Sequence, residues 1–257
     1  LLHVVTKKGK GYEPAEENPS KFHGIGPYDI ATGEVKKGSS SAPKYTSVFS
    51  KAIVAEAERD HDIVAITAAM KDGTGLAAFS EKFPKRFIDT GIAEEHAVAL
   101  ASGLALGGKK PVVCIYSTFM QRAFDQLVIN NALANTNVVF CLDRAGLVGD
   151  DGPTHHGVFD IVYGRMVPGV RMMAPSDEAE LVHMLHTALA LEGPVILRWP
   201  RGEARGVELP AVPQVLEEGK SRTTREGSDV AILAFGRMVQ EAEGAADILA
   251  KEGVSVR

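Results

Sequence analysis

The sequence predicts an α/β fold: a parallel sheet with helices on both faces, followed by the start of a smaller βα domain. Three observations carry this. Strand-length runs such as residues 111–116 (PVVCIY) and 137–142 (NVVFCL) are apolar almost throughout, as strands covered on both faces must be. Segments of helical period separate them. Polar, glycine-bearing loops follow the runs, where α/β sheets bind ligands.

The elements follow in order. Residues 1–34 are rich in Gly, Pro and charge with no helical period, and read as extended chain and loop. Residues 34–44 (EVKKGSSSAPK) have the composition of a linker. Residues 47–59 carry Val48, Phe49, Ala52, Ile53 and Ala57 on one helical face. A buried strand is expected at 62–67 (DIVAIT), a short helix at 76–83 ended by Pro84, and a second strand at 86–90. A helix at 93–107 is closed by Gly107-Gly108. The third strand (111–116), a helix (118–134) and a fourth strand (137–142) follow, then a long loop at 143–157. A helix at 177–191 with Ser176 as N-cap leads to a strand at 195–198. Pro210 and Pro213 mark a boundary, after which a strand (229–235), a helix (238–251) and a strand begun at Val254 form a new unit.

Composition bounds the function. The 257 residues are 45% hydrophobic and 24% charged, which excludes disorder, collagen and coiled coil. A net charge of −5 gives no footprint for nucleic acid or an anionic membrane surface. The apolar runs are too short to span a bilayer, and Leu1 to Thr6 lacks the order of a signal peptide. Cys114 and Cys141 lie inside strand-like runs and read as buried free thiols, which points to a reduced, cytoplasmic location.

Chemistry concentrates after the strands. Glu94 and Glu95 start an apolar helix, where helix-dipole complementarity and a functional carboxylate both account for them. Tyr116 and Phe119 flank a strand end and either stack on a flat ring or cap the core. Arg122, one turn beyond Thr118, reaches an anion or is a solvated charge. The loop 143–157 holds Asp143, Arg144, Asp150, Asp151, Thr154, His155 and His156. Adjacent histidines do not readily face one metal ion, and no further ligands follow at metal spacing. An acidic surface turn and a substrate loop remain. In the latter Arg144 meets an anion, and Asp151 and His155 meet hydroxyls or move protons. Arg198 and Arg201 flank Trp199 in a pattern suited to phosphate or to a stacked surface arginine.

Seven segments together resemble the 1-deoxy-D-xylulose-5-phosphate synthase family of transketolase-like thiamine diphosphate enzymes. They are TKKGKGYEPAE (6–16), KFHG (21–24), DTGIAEEHAV (89–98), IYSTFMQRAFDQ (115–126), DRAGLVGDDGPTHHGVFD (143–160), APSDE (174–178) and RWPRG (198–202). The resemblance implies a thiamine diphosphate-binding fold in three domains. Residues 1–44 are then the end of the diphosphate domain and its linker, 45–212 the pyrimidine domain, and 213–257 the start of the transketolase C-terminal-like domain. It implies decarboxylation of pyruvate and carboligation to D-glyceraldehyde 3-phosphate, on the non-mevalonate route to isoprenoids and toward thiamine and pyridoxal phosphate. Thiamine diphosphate and Mg²⁺ are the implied cofactors and a homodimer the implied assembly.

By this resemblance Glu94 bonds the pyrimidine N1′, and Phe119 packs on that ring. Tyr116, Arg144 and Arg201 hold the aldehyde's phosphate. Arg122, Asp151 and His155 act at substrate, and His23 comes from the first domain. The family binds its metal with Gly-Asp-Gly and a later Asn. Gly149-Asp150-Asp151-Gly152 is not that motif, and no Asn follows Asn137. The metal ligands are therefore expected on a segment ahead of Leu1, with the isolated chain inactive. A 2-oxo acid dehydrogenase β subunit and a non-catalytic dimerisation module are the competing readings. Residues 6–44 argue against the first, and the joint retention of Glu94, Arg144, Asp151 and His155 against the second.

Overall fold

The computed structural model describes residues 1–35 and 42–257. The middle of the predicted linker lies outside the described residues. The chain divides into two compact units, Leu1–Ser41 and Ala42–Arg257.

The first unit holds one short helix, α1 (Glu13–Glu17), where the sequence predicted only loop. Pro14 presets the first turn and Glu13 and Glu16 complement its dipole. Five residues are too few to show a period. Tyr12, Phe22 and Tyr28 form a ring cluster, with Phe22 5.4 Å from each tyrosine. His23, beside Phe22, is exposed.

The second unit is built on a six-stranded sheet of β1 (Ile63–Thr67), β2 (Phe87–Asp89), β3 (Lys110–Tyr116), β4 (Val139–Asp143), β5 (Arg171–Met173) and β6 (Val195–Arg198). Their order is β2-β1-β3-β4-β6-β5, and every pairing is parallel. All strand carboxyl ends therefore share one edge, which positions the site. Alternate residues feed two cores. Ala65, Val112, Cys114, Cys141 and Leu197 pack with α2 (Tyr45–Arg59), α3 (Ala77–Lys82) and α8 (Glu178–Ala190). Ile66, Val113, Ile115, Phe140 and Ile196 pack with α4 (Glu94–Leu106) and the segment after β3. Cys114 and Cys141 are register partners, buried and free.

Several expectations change. The helix predicted at 118–134 is broken into α5 (Ser117–Met120), a 3₁₀ turn (Gln121–Ala123), α6 (Phe124–Gln126) and a π-helical turn (Leu127–Ala132). Buried Asn131 explains the last turn: its side-chain amide donates to the Gln126 and Val98 carbonyls. That draws the backbone wider than an α-turn. The N-cap of α8 is Asp177 rather than Ser176, because the helix starts at Glu178 and Asp177 accepts from the Glu180 N–H at 2.8 Å. The sequence did not single out α7 (Asp160–Met166) or the short, half-buried edge strand β5.

After β6, the fully buried Glu178 carboxylate accepts the backbone N–H groups of Arg205, Gly206 and Val207. The strap leaving the sheet is thereby pinned. The predicted strand at 229–235 reduces to one parallel bridge, Val230 with Val256. Backbone bonds from Asp229, Val230 and Ile232 reach residues 255–257, and Leu233 beyond them is 95% exposed. The helix between these partners, α9, spans Met238–Lys251 as predicted. Among the described residues no helix is long and apolar enough to cross a membrane.

Candidate active site

Tyr116 ends β3 in register with Asp143, which ends β4. The Tyr116 hydroxyl rests on Gly73, in the loop after β1, where a methyl group would overlap the phenolic oxygen. Burial pushes the Tyr116 phenol up. Above the ring lies the Arg144 guanidinium, 3.9 Å from its centroid. Phe119 stacks beside it at 5.9 Å and 20°.

Arg144 has a left-handed backbone (φ 60°), which costs about 1–2 kcal/mol for a residue with a side chain. The surroundings compensate. Its Nη1 donates to the Gly73 carbonyl at 2.6 Å and lies 3.2 Å from Asp143 Oδ1. Asp143 is fully buried and also accepts from Thr46 Oγ1 at 2.6 Å and from the Arg144 N–H at 2.7 Å. Burial pushes the Asp143 carboxyl up against the opposing pull of Arg144 and Thr46. The aromatic face, the carbonyl and the buried acid fix Arg144 from three sides.

The loop that follows is closed at its neck by Gly146 and Gly157, which exchange backbone hydrogen bonds of 2.7 and 2.9 Å. A Cβ at Gly157 would collide with Ser117 and the Arg144 carbonyl, so glycine is required there. Within the loop, Asp151 Oδ2 lies 3.3 Å from Arg144 Nε and 3.2 Å from Arg201 Nε. Two guanidinium groups thus converge on one carboxylate. Arg201 leaves the sheet just after buried Trp199, which stacks on Phe49 of α2 at 4.6 Å. Its Nη1 donates to the Val148 carbonyl at 3.1 Å. Arg198, weighed with Arg201 for phosphate, is instead bound to buried Asp160 at 2.7 Å. It faces α7, and only Arg201 joins the cluster.

The two adjacent histidines part company. His155 meets the Phe119 ring edge-on at 5.3 Å and bonds Thr154 Oγ1 through Nδ1. His156 turns into the loop, where its Nδ1 accepts the Val148 N–H at 3.1 Å.

Glu94 opens α4, 2% exposed, and its Oε2 accepts from Arg122 Nη1 at 2.6 Å. This bond raises the Arg122 pKa further. The anion that Arg122 meets is therefore Glu94, and among the described residues nothing donates to Glu94 Oε1. A shielded carboxylate oxygen free to bond suits a ring nitrogen of a flat heteroaromatic, and half-buried Phe119 offers such a ring a face. The residues present fit the aminopyrimidine end of thiamine diphosphate. They do not fit a metal: among the described residues no three His, Cys, Asp or Glu converge. His23 belongs to the first unit.

Sequence reasoning gave no role to Gly73, Thr46, Asp143 or His156. A glycine-bearing loop directly after a buried strand was the one local signal for Gly73. The others act through partners distant in sequence or across the loop.

Residues 41–207 match the family described as transketolase, pyrimidine binding domain, and residues 219–257 match transketolase, C-terminal domain. A curated relative from Syntrophomonas wolfei subsp. wolfei, named 1-deoxy-D-xylulose-5-phosphate synthase, is 54% identical over 99% of this chain and 40% of its own length. A relative of that name from Magnetococcus marinus is 57% identical, over 100% and 41%. The chain thus spans about two fifths of the length of these relatives. Among solved structures, a split-gene transketolase described as an inactive beta4 tetramer superposes with a TM-score of 0.73 at 29% identity, covering 84% of this chain and 70% of that one. A Pichia stipitis transketolase in complex with sedoheptulose-7-phosphate gives 0.70 at 20% identity, over 85% and 35%, and shows the fold alone.

Proposed function

The chain belongs to the transketolase pyrimidine-binding domain family, and from that premise we propose that it is the pyrimidine-binding part of a 1-deoxy-D-xylulose-5-phosphate synthase. The proposed reaction decarboxylates pyruvate and joins the remaining two carbons to D-glyceraldehyde 3-phosphate, toward isoprenoids, thiamine and pyridoxal phosphate. The observation that carries it is the convergence of Arg144 and Arg201 beside Tyr116, a built anion site at the strand ends. The name borne by the curated relatives supports the same reading.

In this proposal residues 1–44 are the end of a diphosphate domain and linker, 45–212 the pyrimidine domain and 213–257 the start of a C-terminal domain. Thiamine diphosphate, when bound, supplies the electron sink that makes loss of carbon dioxide from pyruvate possible. Glu94 Oε1 would bond the pyrimidine N1′ and share a proton with it, and Arg122 on Oε2 would stabilise the carboxylate when that proton sits on N1′. Phe119 packs on that ring's face and would keep water away from it. Arg144 and Arg201 take the phosphate of the aldehyde, and Asp151 yields them. His155, against Phe119, moves a proton at the aldehyde oxygen. His23 is kept as a substrate-binding residue by the resemblance alone. Magnesium has no ligand set among the described residues. A homodimer in the cytoplasm completes the reading.

The test is a chimera in which this chain replaces the matching segment of the Syntrophomonas wolfei relative. We expect 1-deoxy-D-xylulose 5-phosphate from pyruvate and D-glyceraldehyde 3-phosphate. Arg201→Ala in the chimera should raise KM for that aldehyde roughly tenfold to a hundredfold and leave KM for pyruvate nearly unchanged. Non-phosphorylated D-glyceraldehyde is the control. A folded, cofactor-binding chimera without product would overturn the assignment; equal losses for both aldehydes would reject only the phosphate role.

A further inference from the structure

We propose that His156 is a positioning residue that aims the Arg201 guanidinium through the main chain of Val148. The inference rests on Arg201 as a phosphate ligand, and gives the second histidine of the loop a task of its own.

Both backbone groups of Val148 are committed. Its N–H donates to His156 Nδ1 at 3.1 Å, and its carbonyl accepts Arg201 Nη1 at 3.1 Å. Val148 itself is 4% exposed, so its side chain anchors the segment while its backbone faces polar partners. Its φ of −117° and ψ of 4° lie in a sparsely populated region, and Gly149 follows with φ 59°. A backbone held there needs a reason, and the bond to His156 supplies one. It pins the peptide plane ahead of Val148, and the ψ of 4° then turns the Val148 carbonyl toward Arg201.

The geometry around the loop makes this short path stiff. His156 directly precedes Gly157, and Val148 lies two residues after Gly146. The Gly146–Gly157 pair closes the neck between them. The imidazole therefore reaches across the loop from a fixed base. To accept the Val148 N–H, Nδ1 must carry a lone pair and the ring proton must sit on Nε2.

The consequence concerns phosphate. Arg201 has two partners among the described residues, the Val148 carbonyl and the Asp151 carboxylate. A phosphate group entering between Arg144 and Arg201 takes the place of Asp151. The Val148 carbonyl is then the partner that still orients Arg201, and His156 holds it. His156 touches no phosphate; its effect is read only at Arg201.

The experiment uses the 257-residue chain with glycerol 3-phosphate as probe and glycerol as control, followed by the side-chain Nε–Hε signals of Arg201 and Arg144. His156→Ala should weaken glycerol 3-phosphate binding roughly threefold to tenfold, the worth of one neutral hydrogen bond. His156→Asn should restore it, since Asn Oδ1 stands near the position of Nδ1. In an Arg201→Ala background, His156→Ala should add no further loss, because the two residues act as one unit. Unchanged affinity in His156→Ala, or an equal extra loss in the Arg201→Ala background, would overturn the relay. Should His156→Ala fail to fold, the nitrogen shifts of His156 in the unsubstituted chain decide: a bare Nδ1 supports the proposal and a protonated Nδ1 overturns it. If the unsubstituted chain does not prefer glycerol 3-phosphate to glycerol, the phosphate reading itself falls, and the relay with it.

Discussion

Gly73 shows how much one missing side chain can fix. The Tyr116 hydroxyl packs where a β-carbon would stand, and the Gly73 carbonyl grips Arg144 at 2.6 Å. Gly73→Ala should therefore displace Tyr116 and, with it, the guanidinium stacked on that ring. Overpacking of this kind costs about 1–3 kcal/mol. We expect a lower urea midpoint together with weaker glycerol 3-phosphate binding. Normal binding in the variant would mean that the ring finds another seat without moving Arg144. Asp143 acts in the same way from below, as a buried acid bonded to Thr46 Oγ1, the Arg144 N–H and the guanidinium. Neither role follows from local sequence beyond the placement of Gly73 in a loop after a strand, because each depends on what lies against the residue. Arg144 and Arg201 stand out in the sequence for charge at strand ends. That Arg198 belongs to Asp160 and not to the anion cluster depends on which way a strand residue faces.

At the scale of elements, the loop between the Gly146–Gly157 pair carries its own counter-anion. Asp151 lies 3.3 and 3.2 Å from the two arginine Nε atoms and competes with any phosphate for them. Asp151→Asn removes the negative charge that both guanidinium groups share, so it should tighten glycerol 3-phosphate binding by about threefold to tenfold. Weaker binding in that variant would show instead that Asp151 helps to hold the ligand. The helices teach a related lesson. The apolar face of α2 was readable as spacing. The π-helical turn at Leu127–Ala132 was not, since it arises from the Asn131 amide reaching the Val98 and Gln126 carbonyls.

For the whole molecule, α7 bears on assembly. Phe159, Val162 and Met166 lie on one helical face and are 57%, 58% and 67% exposed. A second copy covering this face would remove that apolar area from water. We expect the chain to sediment as a dimer at tens of micromolar or above, and Val162→Lys with Met166→Lys to shift it to monomer. A monomer at high concentration without substitution would remove the homodimer from the proposal.

The sequence by itself determined the α/β class and all but one short edge strand of the sheet. Strands buried on both faces have no polar alternative to write into their residues, so their apolar runs cannot be mistaken for surface. It also determined where charged side chains gather, because a charged residue directly after such a run must emerge at the carboxyl edge of the sheet. The tertiary structure alone decided which of those charges meet. Arg144 and Arg201 are 57 positions apart (201 − 144) and share Asp151 only because β4 and β6 are neighbours in the sheet order. Thr46 reaches Asp143 across 97 residues. Hydrogen bonds and ion pairs act over about 3–4 Å, and no pattern of spacing along the chain encodes a distance that strand order and strand register set.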